Sequence, residues 1–182
     1  TNDLSRLCVH TQTTKPWDLN ACITAYHQAG IQHISIWRHL LENQNLKEVK
    51  SELEKHHLQV TSLVRGGFFA SVSKSKRQEA IEENKKAIEE AAALDAPLIV
   101  LVCGADPEQG LETSREQIKE GIQAILPYAQ SANVRLAIEP LHPMYAGDKS
   151  AIVSLGQAND LAESINDPFV GIAIDVYHLW WD

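Results

Sequence analysis

Two short segments of the chain repeat one local pattern, an apolar run that ends in an acid: Leu136-Ala137-Ile138-Glu139 and Ile172-Ala173-Ile174-Asp175. Read as strands, they place Glu139 on the side of Ala137 and Asp175 on the side of Ala173, because side chains alternate from face to face. Small residues then lie beneath both carboxylates, as an inward orientation requires. Neighbouring strands lie about 4.8 Å apart, so two carboxylates at adjacent strand ends either repel or share a cation. A divalent ion resolves that repulsion. Carboxylate oxygens suit Mg or Mn, and one added imidazole brings Zn or Co within range. His178 follows Asp175 by three residues, where a loop can fold it back over the same mouth. A single acid at a strand end is as often a helix cap or an ion-pair partner, so it is the matched pair that carries the chemical reading.

The elements that must position these groups are legible as an alternation of β-branched runs and amphipathic stretches. Strands are expected near Arg6 to His10, His33 to Trp37, Gln59 to Val64, Leu98 to Val102, Arg135 to Glu139 and Val170 to Asp175. A helix follows each of them except the last. The first helix carries Leu19, Cys22, Ile23 and Tyr26 on one face, with Gly30 at the position of a C-cap. The second offers Leu46, Val49 and Leu53, and the third lines up Ala80, Asn84, Ala87, Ala91 and Leu94. Thr113 with Glu116, and Ser154 with Gln157, have the form of capping boxes at the starts of two further helices.

Strict alternation with short connections implies an α/β fold with a parallel sheet and helical crossovers. No GxGxxG follows the first strand, where Thr11 to Lys15 stand instead, so an open dinucleotide-binding sheet is the weaker alternative. The strand starts recur about every 33 residues, and eight such units need about 260, close to the length typical of a TIM barrel. The expectation is a (β/α) TIM-barrel type fold with about six of eight βα units present, an incomplete barrel. Residues 1–182 read as a single domain truncated at its C-terminus, and Thr1 in place of methionine points to a trimmed start or an interior segment.

The remaining strand ends supply His10, Trp37, Arg38, Arg65 and Cys103 to the same mouth. Trp37 can stack on a sugar or cover a core edge. Arg65-Gly66-Gly67 can take a phosphate or carboxylate through its guanidinium and exposed amides, or can simply form a turn. Cys103 has no base nearby in sequence and reads as a small buried residue. The pairs Glu82-Glu83, Lys85-Lys86 and Glu89-Glu90, and His56-His57, read as solvated helix faces. Trp180 and Trp181 either shield the site or cover a sheet edge.

Composition narrows the partners. Hydrophobic residues at 44% and charged residues at 22% describe a globular chain. A net charge of −8 opposes binding to nucleic acid, which needs a basic surface. No apolar run is long enough to span a bilayer, and Cys8, Cys22 and Cys103 form no CxxC pair. A reducing, cytoplasmic setting without a membrane partner is the expectation.

Glu139-Pro140-Leu141-His142-Pro143 and Asp175-Val176-Tyr177-His178 resemble the sugar phosphate isomerase/epimerase proteins of the xylose-isomerase-like TIM barrel superfamily. The resemblance runs the whole chain, with its strongest motifs in the last third. It implies a metal held by Glu139 and Asp175, with two further ligands from strands seven and eight that have no counterpart here. It also implies that His178 touches substrate oxygens, that Glu139 moves a proton, and that the partner is a small carbohydrate bound near His10, Trp37, Arg65, His142 and His178. The endonuclease relatives draw histidines from strands three and four, whose ends here read Val64-Arg65-Gly66-Gly67 and Val102-Cys103-Gly104, so a trinuclear zinc site is not expected.

The resulting expectation is metal-assisted isomerisation or epimerisation of a keto-sugar or related polyol through an enediolate. Expulsion of a hydroxyl from the same intermediate would make the protein an inosose-type dehydratase, which product analysis separates. A non-catalytic carbohydrate-binding fragment is the third reading, and with half the ligands missing, residues 1–182 alone are expected to turn over little. Unpaired edges at the first and sixth strands favour a homodimer.

Overall fold

Runs of β-branched residues separated by apolar-striped helices form six parallel strands in the computed structural model, which describes residues 3–182. The strands are β1 (Cys8–His10), β2 (His33–Trp37), β3 (Gln59–Gly67), β4 (Leu98–Val102), β5 (Arg135–Ile138) and β6 (Val170–Ile172). The helices are α1 (Leu19–Gln28), α2 (Leu46–Lys55), α3 (Lys74–Ala93), α4 (Leu111–Ala132), α5 (Leu155–Ile165) and α6 (Val176–Leu179).

The spatial order is β1-β2-β3-β4-β5-β6, the same as the chain order. A doubly wound sheet reverses its strand order at a switch point, so this unbroken sequence is the winding of a barrel wall. The wall is open, with β1 and β6 at its edges. It is also curled, because His10 at the end of β1 feels the charge of Asp175 beyond β6.

Alternation along the strands sorts residues between two faces. Ile34, Ile36, Leu63, Ile99, Leu101, Leu136 and Ile138 pack against Ala87, Ile88, Ala91, Ile118, Ile122, Ile125 and Ala129 from the helices, forming the main core. Val64, Val100 and Ala137 are buried on the opposite, concave face, outside that core. There Ser35 and Ser62 bond each other at 2.7 Å, which satisfies two buried hydroxyls.

Several expectations are corrected by the coordinates. β5 stops at Ile138 and β6 at Ile172, so both acids lie past the strand ends, and β3 runs on to Gly67. The last strand is followed by a helical turn, α6, rather than by a loop. α4 starts at Leu111 with Gly110 as its N-cap, so Thr113 and Glu116 lie inside it and form no capping box. Ser154 does cap α5, accepting from Gln157 N at 3.2 Å, while the Gln157 side chain accepts from Val153 N at 2.9 Å, one residue upstream of the expected partner.

Candidate metal centre at the mouth of the sheet

The site is built where β5 and β6 release the chain. Glu139 N donates to Leu101 O at 3.1 Å, which extends the β4–β5 pairing one residue beyond the strand and fixes the Glu139 backbone. Its half-buried carboxyl is pushed up to about 7, mainly by burial and then by the charge of Asp175, against a downward pull from Arg65. Asp175 is the N-cap of α6, its Oδ1 accepting from Tyr177 N at 2.8 Å. The other oxygen, Oδ2, stands 3.9 Å from His178 Nε2. One ligand atom each from Glu139, Asp175 and His178 falls within 4.8 Å of the others.

The ring of His178 is oriented by its surroundings. Its Nδ1 accepts from the backbone N–H of His142 at 3.3 Å, so the neutral ring carries its proton on Nε2, the nitrogen that faces Asp175. Tyr145 and Tyr177 meet the ring edge-on, with centroids 5.5 and 5.0 Å away. Burial lowers its pKa most, and His142 and Lys149 add to that, while Asp175 opposes them. The three groups are therefore not equivalent: two carboxylates suit a hard divalent ion, and the imidazole beside them presents a hydrogen-bond donor. The raised carboxyl of Glu139 reflects its burial first and the nearby charge of Asp175 second.

The other predicted residues divide. His10 lies at the end of β1 with part of its surface open to solvent, and the partial burial of its ring lowers its pKa while Asp175 raises it. Arg65 and Trp37 lie together, the guanidinium 5.7 Å from the indole centroid, and Trp37 Nε1 is buried without a hydrogen-bond partner among the described residues. His142 acts on His178 through its backbone, and its ring faces Trp180 and Trp181 at 6.4 and 5.9 Å. Trp180 is largely exposed, whereas Trp181 donates from Nε1 to His178 O at 2.9 Å. Cys103 is fully buried and its thiol is raised to about 12, by burial and then by Glu139, which makes it inert as a nucleophile.

Two expectations fail here. Arg38 does not join the mouth: it turns to α3 and pairs with Glu83 at 2.8 Å and Glu90 at 2.6 Å, so those two acids are not merely solvated. Gly66 and Gly67 offer no open anion nest, because both are buried and Gly67 N donates to Asn84 Oδ1 at 2.7 Å. Sequence reasoning missed Phe68 and Lys149, which lie in loops, and Tyr145, which ends a single 3-10 turn, Pro143–Tyr145, all without periodicity. The closeness of Tyr145 to the His142 motif is the one signal that could have drawn attention to it.

A cavity of ≈ 1150 Å³ runs along Trp37, Arg65 and Phe68 and the α3 residues Asn84 and Glu90, and does not include Glu139, Asp175 or His178. No helix among the described residues is long and apolar enough to cross a membrane.

Comparison with known proteins gives a consistent picture. A family model described as xylose isomerase-like TIM barrel matches residues 23–182. Inosose isomerase from Halalkalibacterium halodurans is 25% identical over 184 residues, covering 95% of this chain and 62% of that protein. The crystal structure of a protein from Sinorhizobium meliloti 1021 is similar with a TM-score of 0.92 and 40% identity, over 97% of this chain and 65% of that one. The crystal structure of IOLI protein with a binding zinc atom has a TM-score of 0.81 at 20% identity, covering 94% and 63%, a likeness of fold. This chain therefore spans less than two thirds of the length of each of these three relatives.

Proposed function

The chain belongs to the xylose isomerase-like TIM barrel family, and from that premise we propose that it carries the metal-holding part of a sugar isomerase or epimerase acting on a keto-sugar or related polyol. The observation that carries this reading is the convergence of Glu139, Asp175 and His178 within 4.8 Å, past the C-terminal ends of two paired parallel strands, the end at which barrel enzymes place their chemistry. The activity named for the Halalkalibacterium relative and the zinc atom of IOLI protein support the reaction class and a divalent ion.

Glu139 and Asp175 would hold the ion, which supplies Lewis-acid stabilisation of an oxygen that gains negative charge. Glu139, shielded from water, takes the proton from the carbon next to the substrate carbonyl as the C–H bond breaks. It returns that proton to the neighbouring carbon, giving isomerisation; epimerisation would need a second acid on the opposite face of the same carbon to deliver a proton there. His178 donates from Nε2 to a substrate oxygen and fixes which carbon meets Glu139. Asp175 contributes Oδ2, the oxygen that does not cap α6.

Isothermal titration with Mn²⁺ and Zn²⁺ tests the reading. One ion per chain is expected, with binding weakened more than about tenfold in Glu139→Gln and in Asp175→Asn, since loss of a direct ligand exceeds the effect of losing its supporting partner. Absence of binding to the wild-type chain, or variants that bind as well as it does, would remove the basis of the proposal.

A further inference from the structure

At the end of the sheet opposite to Glu139 and Asp175, two helices hand the chain to their strands. α1 ends at Gln28 before β2 begins at His33, and α2 ends at Lys55 before β3 begins at Gln59. The two turns are built alike. Gly30 N donates to His27 O at 2.9 Å and Ile31 N to Tyr26 O at 3.0 Å, while His57 N donates to Glu54 O at 3.0 Å and Leu58 N to Leu53 O at 2.9 Å. Each turn holds one residue in the left-handed region, Gly30 at φ 76° and His57 at φ 53°. Glycine is the ordinary occupant of that position, so the histidine of the second turn departs from the pattern.

That departure gathers three imidazoles. The ring centroids of His27 and His56 lie 5.3 Å apart, and those of His27 and His57 lie 6.4 Å apart. Two imidazoles that share one tetrahedral ion, each through a metal–nitrogen bond of about 2.1 Å, hold their ring centres roughly 5 Å apart, which is the separation of His27 and His56. Of the His56-His57 pair expected to be a solvated face, His56 is half-buried and already set as a ligand. Its Nδ1 lies 2.8 Å from Glu52 O, and a carbonyl only accepts, so in the neutral ring Nδ1 carries the proton and Nε2 presents a bare lone pair. The Glu52 carboxylate, 3.7 Å from the same Nδ1, adds the outer support typical of metal-bound histidines. The neighbouring Lys55 is engaged by Glu52 at 3.3 Å. The C-terminal ends of two helices meet here, and the partial negative charge of each favours a cation.

We propose that His27, His56 and His57 form a second metal site, an imidazole clip that takes one divalent ion such as Ni²⁺ or Cu²⁺ and ties the end of α1 to the end of α2. Nitrogen donors favour those ions over Mn²⁺, which prefers oxygen. His27 and His57 are exposed, and turning their rings about the side-chain bonds brings a nitrogen of each to the ion that Nε2 of His56 receives. His57 starts farthest away, and its approach is what binding adds. The clip acts on stability and not on the chemistry at the mouth, because an ion held by the folded chain favours that state.

Calorimetric titration with Ni²⁺ of untagged, metal-free chain carrying Glu139→Gln and Asp175→Asn tests it, because the carboxylate centre is then removed. One Ni²⁺ per chain is expected, bound about tenfold or more tightly than Mn²⁺, with a rise in melting temperature on saturation. Adding His27→Gln, His56→Gln or His57→Gln should in each case weaken Ni²⁺ more than about tenfold and remove that rise. Cu²⁺ at the site should show imidazole nitrogen couplings in electron paramagnetic resonance, diminished by each substitution. If the mouth substitutions unfold the chain, the three histidine variants are compared in the wild-type background, where they should lose Ni²⁺ and keep Mn²⁺. Absence of Ni²⁺ binding, or binding that any one of the three histidine substitutions leaves intact, overturns the inference. A wild-type chain that holds Ni²⁺ through the histidines and fails to bind Mn²⁺ strikes only the isomerase reading.

Discussion

Glu139 holds its proton far above the ordinary carboxylate range, and the direction of that shift fixes a pH dependence. A carboxyl with a folded pKa of about 7 against an ordinary 4.5 binds more protons folded than unfolded between those values, so its contribution to stability falls as pH rises through them. His10 and His178, both lowered chiefly by burial, work in the opposite sense below their ordinary value of 6.5. The difference between wild type and Glu139→Gln isolates the carboxylate. In metal-free protein the variant should be more stable by up to roughly 3 kcal/mol at pH 8, shrinking toward zero near pH 5, read from urea unfolding. Asp175 makes a second prediction, because one oxygen caps α6 and the other faces His178. Asp175→Asn should keep the cap and lose the ion, while Asp175→Ala should also lose about 1 kcal/mol of stability. The acids and His178 were legible in the sequence because a repeated local pattern marks them. Arg38 was misread because its partners, Glu83 and Glu90, come from a helix more than forty residues away.

At the scale of elements, β2 and β4 match their expected bounds, β1 starts at Cys8 rather than Arg6, and the deviations of β3, β5 and β6 lie at the strand ends that face the site. β5 and β6 end early because Glu139 and Asp175 are drawn into a loop and a helix cap, interactions that hydrophobic alternation does not encode. The start of α4 was misplaced because the Thr113 and Glu116 pattern is local, whereas Gly110 already has the extended backbone of a cap. The bulge at Arg65, between the Val64–Val100 and Gly66–Leu101 pairs, left only the Gly66-Gly67 pair as a trace. Asn84, which reads as one member of a helical stripe, fastens that bulge through the Gly67 N–H and carbonyl. Asn84→Leu would strand a buried N–H and a buried carbonyl of Gly67 and is expected to cost about 2 to 5 kcal/mol by denaturant unfolding. Ser154→Ala, which removes only the α5 cap, should cost about 1 kcal/mol by the same measurement.

At the scale of the molecule, the barrel winding was readable because alternation and short connections admit few topologies, and the observed strand order removes the open-sheet alternative. Surface chemistry at the β6 edge was less legible. Ile174, Val176, Tyr177 and Trp180 are each more than 60% exposed there, around a pocket shared with Leu155 and Leu179. An apolar edge of this kind beside an unpaired strand favours association. The 182-residue chain is expected to self-associate with rising concentration in light scattering, and Val176→Lys with Trp180→Lys should shift it toward monomer. The curl that brings His10 within reach of Asp175 has a further result. Residues made more than 160 positions apart face one another across a single opening, so during synthesis five strands can emerge and pair before the opening receives Asp175. A nascent chain arrested before β6 should therefore resist proteolysis in its early strands yet retain no manganese.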